Sequence, residues 1–317
     1  MINLLYCFDS NYNTMGFTSI VSILDKVDEN INIIIIHNSK NIYEIIPKYI
    51  KNHKNLNSIN IHIFQNEKYT FPNIENTHVS EATYFRLFIE DYIEKSHDFL
   101  IYLDADVVCI KNPIPYFNSK IKTMIKNDYT ISAKNEQGMP EIDERTINLG
   151  INSGRYFNAG VMVINYSKWM NEKIKAKSIE IIQEKNEKLV LWDQDVLNII
   201  FDGVFEEIDK EFNYRMDILN FSNKEISTIE NNVYLIHYFG KSKPWSLKGI
   251  NFGISEYYQS EFRKISKSKY HIVHKRRRDS IKYVFDIIFS TNFLKLKFPF
   301  RFLIDAFRSF LNSTIKK

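Results

Sequence analysis

Four short aliphatic runs near the start of the chain restrict its fold more than any other feature. They are "INLLYCF" (2–8), "INIIIIH" (31–37), "INIHIF" (59–64) and "FLIYL" (99–103). Apolar runs of this length mark strands buried on both faces of a sheet. Between them the apolar residues fall at helical spacing: Phe17, Ile20, Val21 and Leu24 in one segment, and Tyr84, Leu87, Phe88 and Tyr92 in another that Ser80 is placed to cap. "IYEIIPKYIKNH" (42–53) is a further candidate helix, limited by Pro47. This alternation predicts an α/β protein with a mostly parallel sheet and helices on both faces.

In such sheets ligands sit beyond the carboxyl ends of the strands. The first run ends at Asp9 and the fourth at Asp104 and Asp106, one residue apart. Two neighbouring carboxylates at a buried strand end repel each other. A shared proton, a basic neighbour or a metal ion must offset that repulsion. The first hundred residues therefore read as a nucleotide-binding half, yet they contain neither GxGxxG nor GxxxxGK[ST]. Something other than a glycine-rich loop must neutralise the phosphates.

Three later segments bear on this. "YFNAGVMVINYSKW" (156–169) has a small-residue turn entering a β-rich run, then a helix from about Ser167. "LWDQDVLNIIF" (191–201) places Asp193 at an expected helix N-cap, with Gln194 and Asp195 in the first turn. "VYLIHYFGKSKPW" (233–245) is a strand running into His237, followed by Gly240 and Lys243, a stretch able to surround a phosphate. Two carboxylates and one imidazole suit Mn²⁺ better than Mg²⁺, which prefers oxygen alone, or zinc, which favours more His or Cys.

Composition divides the 317 residues in two. From Lys264 onward there are 14 Lys or Arg against three Asp, so the tail carries +11 and the preceding body −7. Cys7 and Cys109 show no framework or zinc spacing, the N-terminus lacks a basic region before Asp9, and no apolar stretch is long enough to span a membrane. The cytoplasm is therefore the expected compartment. The tail contains the cationic run Lys275–Arg278, then Asp279 or Ser280 as a helix cap. Ile281, Val284, Phe285, Ile288 and Phe289 follow on one helical face, and after Pro299 so do Phe300, Leu303, Ile304, Phe307, Phe310 and Leu311. A helical hairpin packed on the body is one reading. The favoured one is an interfacial anchor in residues 270–317 that holds an anionic membrane surface. Cations beside apolar faces, without interleaved exposed aromatics and glycines, argue against nucleic acid as a partner.

The ordered set "FDSNY", "HVSEATYFRL", "YLDADV", "YFNAGVMVIN", "WDQDVLN" and "HYFGKSKPW" resembles glycosyltransferase family 8, the retaining enzymes that include bacterial lipopolysaccharide galactosyl- and glucosyltransferases and glycogenin. The resemblance runs from Ile2 to about Trp245. It implies the GT-A fold, a Rossmann-like sheet with an acceptor subdomain. The expected division is a catalytic domain over 1–263, with a nucleotide half to about 110 and a sugar half beyond it, and a separate tail over 264–317. The resemblance further implies that Asp104, Asp106 and His237 hold Mn²⁺, and that Asp9, Asn11 and Tyr12 hold the uridine of a UDP-hexose. Gly240 and Lys243 would bind the diphosphate. Arg86, Asp104, Ala105, Asn158, Asp193 and Gln194 would surround the donor. Gln194 would face the anomeric carbon, with Asp193 and Asp195 as the carboxylate alternative. The polar segment from Glu136 to Arg155 suits a lid. The acceptor would be a lipopolysaccharide, a lipid-linked glycan or another surface oligosaccharide.

Three rivals share some of these residues. A haloacid-dehalogenase-like phosphohydrolase would use Asp104 as nucleophile, but Lys243 and the Asp193/Asp195 pair stand in the wrong order for it. A UDP-sugar-binding module without turnover and a membrane-associated scaffold are the others.

Overall fold

The computed structural model describes residues 2–65, 69–72, 80–222, 225–240, 242–274, 277–289 and 292–315. The four expected strands are present as β1 (Ile2–Phe8), β2 (Ile31–His37), β3 (Leu56–Ile63) and β4 (Phe99–Leu103). Six more follow: β5 (Val107–Cys109), β6 (Ile131–Asn135), β7 (Phe157–Asn165), β8 (Glu206–Glu207), β9 (Tyr214–Met216) and β10 (Leu235–Tyr238).

The main sheet has seven strands in the order β3-β2-β1-β4-β7-β6-β8. Only β7 runs against its neighbours. Along β1, Leu4, Tyr6 and Phe8 enter one hydrophobic cluster while Leu5 and Cys7 enter the other. The strand is thus buried on both faces, which is why its sequence is continuously apolar and not alternating. The helix Asn13–Leu24 covers one face. Turns over Glu81–Asp91 cover the other, bringing in Tyr84, Leu87 and Phe88.

That second segment departs from the expected α-helix. It is a 3₁₀-type run with a kink at Phe88 (φ −109°, ψ 17°), although Ser80 caps it as expected by accepting from the Ala82 N–H. Pro47 likewise breaks its segment into Ile42–Ile45 and Lys48–Lys51. His78 and Val79, at the head of one family-like motif, lie outside the described residues.

A three-stranded sheet, β5-β10-β9, lies beyond the end of β4. Its β5–β10 ladder pairs residues more than a hundred positions apart, and although β10 was expected as a strand, no local pattern announces that pairing.

The C-terminal helices are joined to the body. His271 is half-buried and packs beside the rings of Trp245, Tyr258 and Phe262. Burial pushes its imidazole down to about 3, so it is neutral near neutral pH. The helices Arg277–Phe289 and Pro299–Ile315 bury Ile287, Phe302 and Ala306 with Leu247, Ile250, Tyr270 and Ile272. Asp305 turns inward and accepts from the Lys269 and Tyr270 N–H groups at 2.8 and 3.0 Å. The first of these helices begins at Arg277, ahead of the expected cap at Asp279 or Ser280. Of the Lys275–Arg278 run, Lys275 and Arg276 lie outside the described residues, and the side chains of the other two are not described.

Candidate active site

The antiparallel course of β7 explains why two distant motifs meet. Leu103 at the end of β4 pairs with Val161 midway along β7, and the Asp104 N–H donates to Gly160 O at 2.8 Å. Asn158, Ala159 and Gly160, expected as a turn, instead lie within β7, and this places them against the aspartate pair. Gly160 is required there: a Cβ would stand 2.2 Å from His237 Cε1 and 2.9 Å from Asp104 Oδ2.

The second sheet supplies the imidazole. β10 runs antiparallel to β5 with His237 opposite Val107, the residue after Asp106. His237 Nε2 stands 3.2 Å from Asp106 Oδ1 and 3.8 Å from Asp104 Oδ2. One ligand atom from each of Asp104, Asp106 and His237 lies within 4.8 Å of the others. Asp106 Oδ1 is buried and has no hydrogen-bond partner among the described residues. An orphaned carboxylate oxygen facing an imidazole nitrogen fits a divalent cation, because a buried anion needs compensation. The other Asp106 oxygen accepts from Lys243 Nζ at 2.7 Å. Burial pushes the Asp106 carboxyl up, but the Lys243 ammonium and His237 together outweigh it and hold the group well below the ordinary carboxylate range. Lys243, expected on the diphosphate, is thus a basic neighbour of Asp106, beside a triad able to hold a metal ion.

Arg86 braces the other side. Its guanidinium donates to Asp104 Oδ1 and to Ala159 O, both at 2.7 Å, and its Nε lies 2.9 Å from Asp193 Oδ2. Tyr102 also donates to Asp104 Oδ1, at 2.6 Å, with Arg86 4.1 Å above its ring. Burial raises the Asp193 carboxyl to about 6 even though Arg86 and the Thr83 hydroxyl oppose it. Arg86, which unaided spacing would read as a surface charge, is 5% exposed.

The helix that carries Gln194 starts at Trp192, and Asp193 does not cap it as expected. Asp195 reaches back instead, accepting from the Val190 and Leu191 N–H groups at 2.8 and 2.7 Å, from Arg145 at 3.1 Å and from the Tyr156 hydroxyl. Those four donors engage the Asp195 carboxylate within the protein. Gln194 accepts from the Ala159 N–H at 3.0 Å and donates to the Tyr156 hydroxyl at 3.2 Å, so its amide is held at a fixed angle.

Two cavities meet at Arg86 and Asp104. One of about 400 Å³ is lined by Asp193, Gln194, Asn158, Trp192, His237 and the helix Pro140–Leu149 through Glu141, Ile142 and Arg145. The other, about 130 Å³, is lined by Phe8, Tyr12, Ala105 and Asp106. Beside it Asp9 is buried and accepts from the Asn11 N–H at 2.9 Å and the Asn11 amide at 3.1 Å. Gly240 takes φ +76°, and Gly249 leaves space for the loop that carries Lys243, since a Cβ there would meet Lys243 O at 2.1 Å. The structure thus brings together Asp9, Asn11, Tyr12, Arg86, Asp104, Ala105, Asp106, Asn158, Asp193, Gln194, His237 and Lys243. Tyr102, Thr83 and Tyr156 stood inside family-like motifs without a role. Sequence reading missed Asn213 altogether.

A doubly covered sheet with an acid–imidazole cluster beyond its strand ends is an α/β fold of the GT-A kind. The chain belongs to glycosyl transferase family 8, whose family model matches residues 3–249. It is 34% identical over 188 residues to lipopolysaccharide 1,3-galactosyltransferase of Salmonella typhimurium, covering 56% of this chain and 52% of that protein. It is 28% identical over 270 residues to lipopolysaccharide 1,2-glucosyltransferase of Escherichia coli, covering 81% of this chain and 77% of that one. The chain thus spans only about half the length of the Salmonella relative. In fold it is similar to the galactosyltransferase LgtC, solved in complex with donor and acceptor sugar analogues (TM-score 0.67, 22% identity, 88% of this chain and 99% of that one).

Proposed function

We propose that this chain is a retaining hexosyltransferase that moves galactose or glucose from a UDP-hexose to a glycan acceptor, with Mn²⁺ held by Asp104, Asp106 and His237. The observation that carries the reading is the orphaned Asp106 Oδ1 beside His237 Nε2, where the two cavities join. A bound divalent ion would neutralise the donor diphosphate and the charge developing on the departing UDP. Lys243 adds a second cation to that side. Tyr12 and Asp9 line or border the smaller cavity, which suits the uridine, and Arg86 keeps Asp104 oriented while its charge also faces the donor. Gln194 presents a fixed amide to the larger cavity, as a residue facing an anomeric carbon should. It is a poor nucleophile, which favours same-face attack over a covalent intermediate, with Asp193 the nearer carboxylate alternative and Asp195 already engaged by four donors. The segment Glu136–Arg155, which puts Glu141, Ile142 and Arg145 on the cavity wall, acts as the lid.

Two relatives named for transfer to lipopolysaccharide support an acceptor of that class or another surface glycan. The C-terminal helices support a site of action on the inner face of the plasma membrane. Phe289, Phe300 and Phe307 are 81%, 71% and 63% exposed on a tail that carries +11, a combination suited to anionic lipid. No helix among the described residues is long and apolar enough to cross a membrane.

Product analysis with UDP-galactose or UDP-glucose and Mn²⁺ tests the reading. A glycoside or free hexose with UDP is the expected result. Free phosphate would indicate the phosphohydrolase, and binding without product a sugar-nucleotide-binding module.

A further inference from the structure

Asn213, on no motif, is 1% exposed and lies between His237 and Asn158. Its Oδ1 is 3.0 Å from His237 Nδ1, and its Nδ2 donates to Asn158 Oδ1 at 2.9 Å. Asn158 Oδ1 also accepts from the Gly160 N–H at 3.0 Å. A backbone N–H can only donate, so that last bond sets the direction of the whole chain. It requires the oxygen of Asn158 on that side, hence the nitrogen of Asn213 toward Asn158, hence the oxygen of Asn213 toward His237. His237 Nδ1 must then carry a proton.

We infer that Asn158 and Asn213 form an amide relay, anchored on the Gly160 N–H, that holds His237 protonated at Nδ1 and aims its Nε2 lone pair at the Asp104/Asp106 cluster. Asn213 is on this account a positioning residue for the metal ligand, and the inference rests on the metal reading above. Partners that fix the tautomer and tilt of a ligating imidazole typically change metal affinity 10–100-fold when removed. The relay is also built to stay in place. The turn Lys210–Phe212 that precedes Asn213 is clamped by Phe212, stacked 3.6 Å from the Tyr116 ring and 4.3 Å from the Tyr234 ring. The Tyr234 N–H donates to Glu211 O at 2.8 Å, tying that turn to the strand that bears His237. The relay explains as well why Asn158 sits at the site with its oxygen already committed, leaving only its amide nitrogen for a ligand.

Two measurements test this. In the full chain labelled with ¹⁵N-histidine, at pH 8 and without metal, His237 Nδ1 should resonate as a protonated nitrogen; a bare Nδ1 with the proton on Nε2 would overturn the relay. Separately, Mn²⁺ binding followed by electron paramagnetic resonance should weaken about 10–100-fold in Asn213→Leu and recover most of that loss in Asn213→Asp, which restores an acceptor for Nδ1–H. Equal Mn²⁺ affinity in wild type and Asn213→Leu would also overturn it. A wild-type protein that binds no Mn²⁺ would defeat the metal reading instead, and the ¹⁵N result would still decide the relay.

Discussion

Beyond the ends of β1, β4 and β10, charged side chains are buried and almost all paired; on the last two helices, phenylalanines stand in solvent. Asp9, Arg86, Asp193 and His237 are each under 9% exposed, whereas Phe289 and Phe300 are above 70%. Each arrangement is costly unless something else occupies the space beside it. A buried carboxylate oxygen without a partner needs a cation, and an exposed row of rings needs an apolar surface. Around the first site Asp104, Asp195 and Gln194 are each fixed by backbone or by a second side chain. The second is tied down at separate points, among them Asp305, Lys297 beside Glu256 at 3.2 Å, and the Ser309 hydroxyl, which donates to Ile272 O at 2.6 Å. One region presents paired, buried charge and the other exposed aromatic rings.

The largest effect should come from Asp106→Asn, which removes one clamp charge and leaves Lys243 and His237 facing a neutral group. Mn²⁺-dependent turnover of UDP-hexose is expected to fall at least about 100–1,000-fold, the scale seen when a preorganised charge-stabilising group is lost. Gly160→Ala should follow. The added methyl displaces the His237 ring, so Mn²⁺ affinity by paramagnetic resonance drops about 10–100-fold while circular dichroism stays that of the folded protein. Lys243→Ala should weaken UDP binding, read by calorimetry, by about 1.5–3 kcal/mol, the worth of a charge-assisted contact.

The junction between the regions has its own signature. His271 is neutral when folded, with its pKa pushed down to about 3 by burial against an ordinary 6.5. A lowered folded value means the unfolded chain takes up the proton first. The contribution is therefore complete above pH 6.5 and is lost as pH falls toward 3, by about 2 kcal/mol at pH 5. His271→Leu should flatten that part of the stability profile in thermal melts between pH 7 and 5. The smallest effect on the folded body belongs to the exposed rings. Phe300→Asp with Phe307→Asp should leave stability within about 0.5 kcal/mol and UDP-hexose hydrolysis unchanged, yet abolish sedimentation with phosphatidylserine vesicles at low salt. Unaltered sedimentation would make the comparison one-sided and leave those faces without a lipid role.

What could be read in the sequence was local. Apolar runs and the acids that end them gave β1 to β4, Asp9 and the Asp104/Asp106 pair, because burial on both faces imprints a continuous pattern. Non-local pairing was not readable from residues alone. His237 reaches Asp106 only through the register of β5 with β10, and Asn213 sits before a three-residue strand that carries no motif. His237 was flagged as an imidazole at a strand end and family resemblance gave it a metal role; nothing supplied Asn213. The exchange of Asp193 for Asp195 at the helix start has a different cause. Spacing places both acids in the first turn, and only the path of Val190 and Leu191 decides which one their N–H groups meet. On the last helix, the large apolar residues pointed to one face, whereas Phe302, Ala306, Asp305 and Ser309 make the inward side. Small and hydrogen-bonded residues can form a packed face that a count of large hydrophobes overlooks.

The most direct test is calorimetric titration of UDP into the full chain, once with Mn²⁺ and once with chelator. Binding with Mn²⁺, weakened at least about 100-fold by chelator and equally weakened in Asp106→Asn, is the predicted result. UDP affinity that is the same with and without the metal would contradict the claim that Asp104, Asp106 and His237 form the metal clamp of a sugar-nucleotide site.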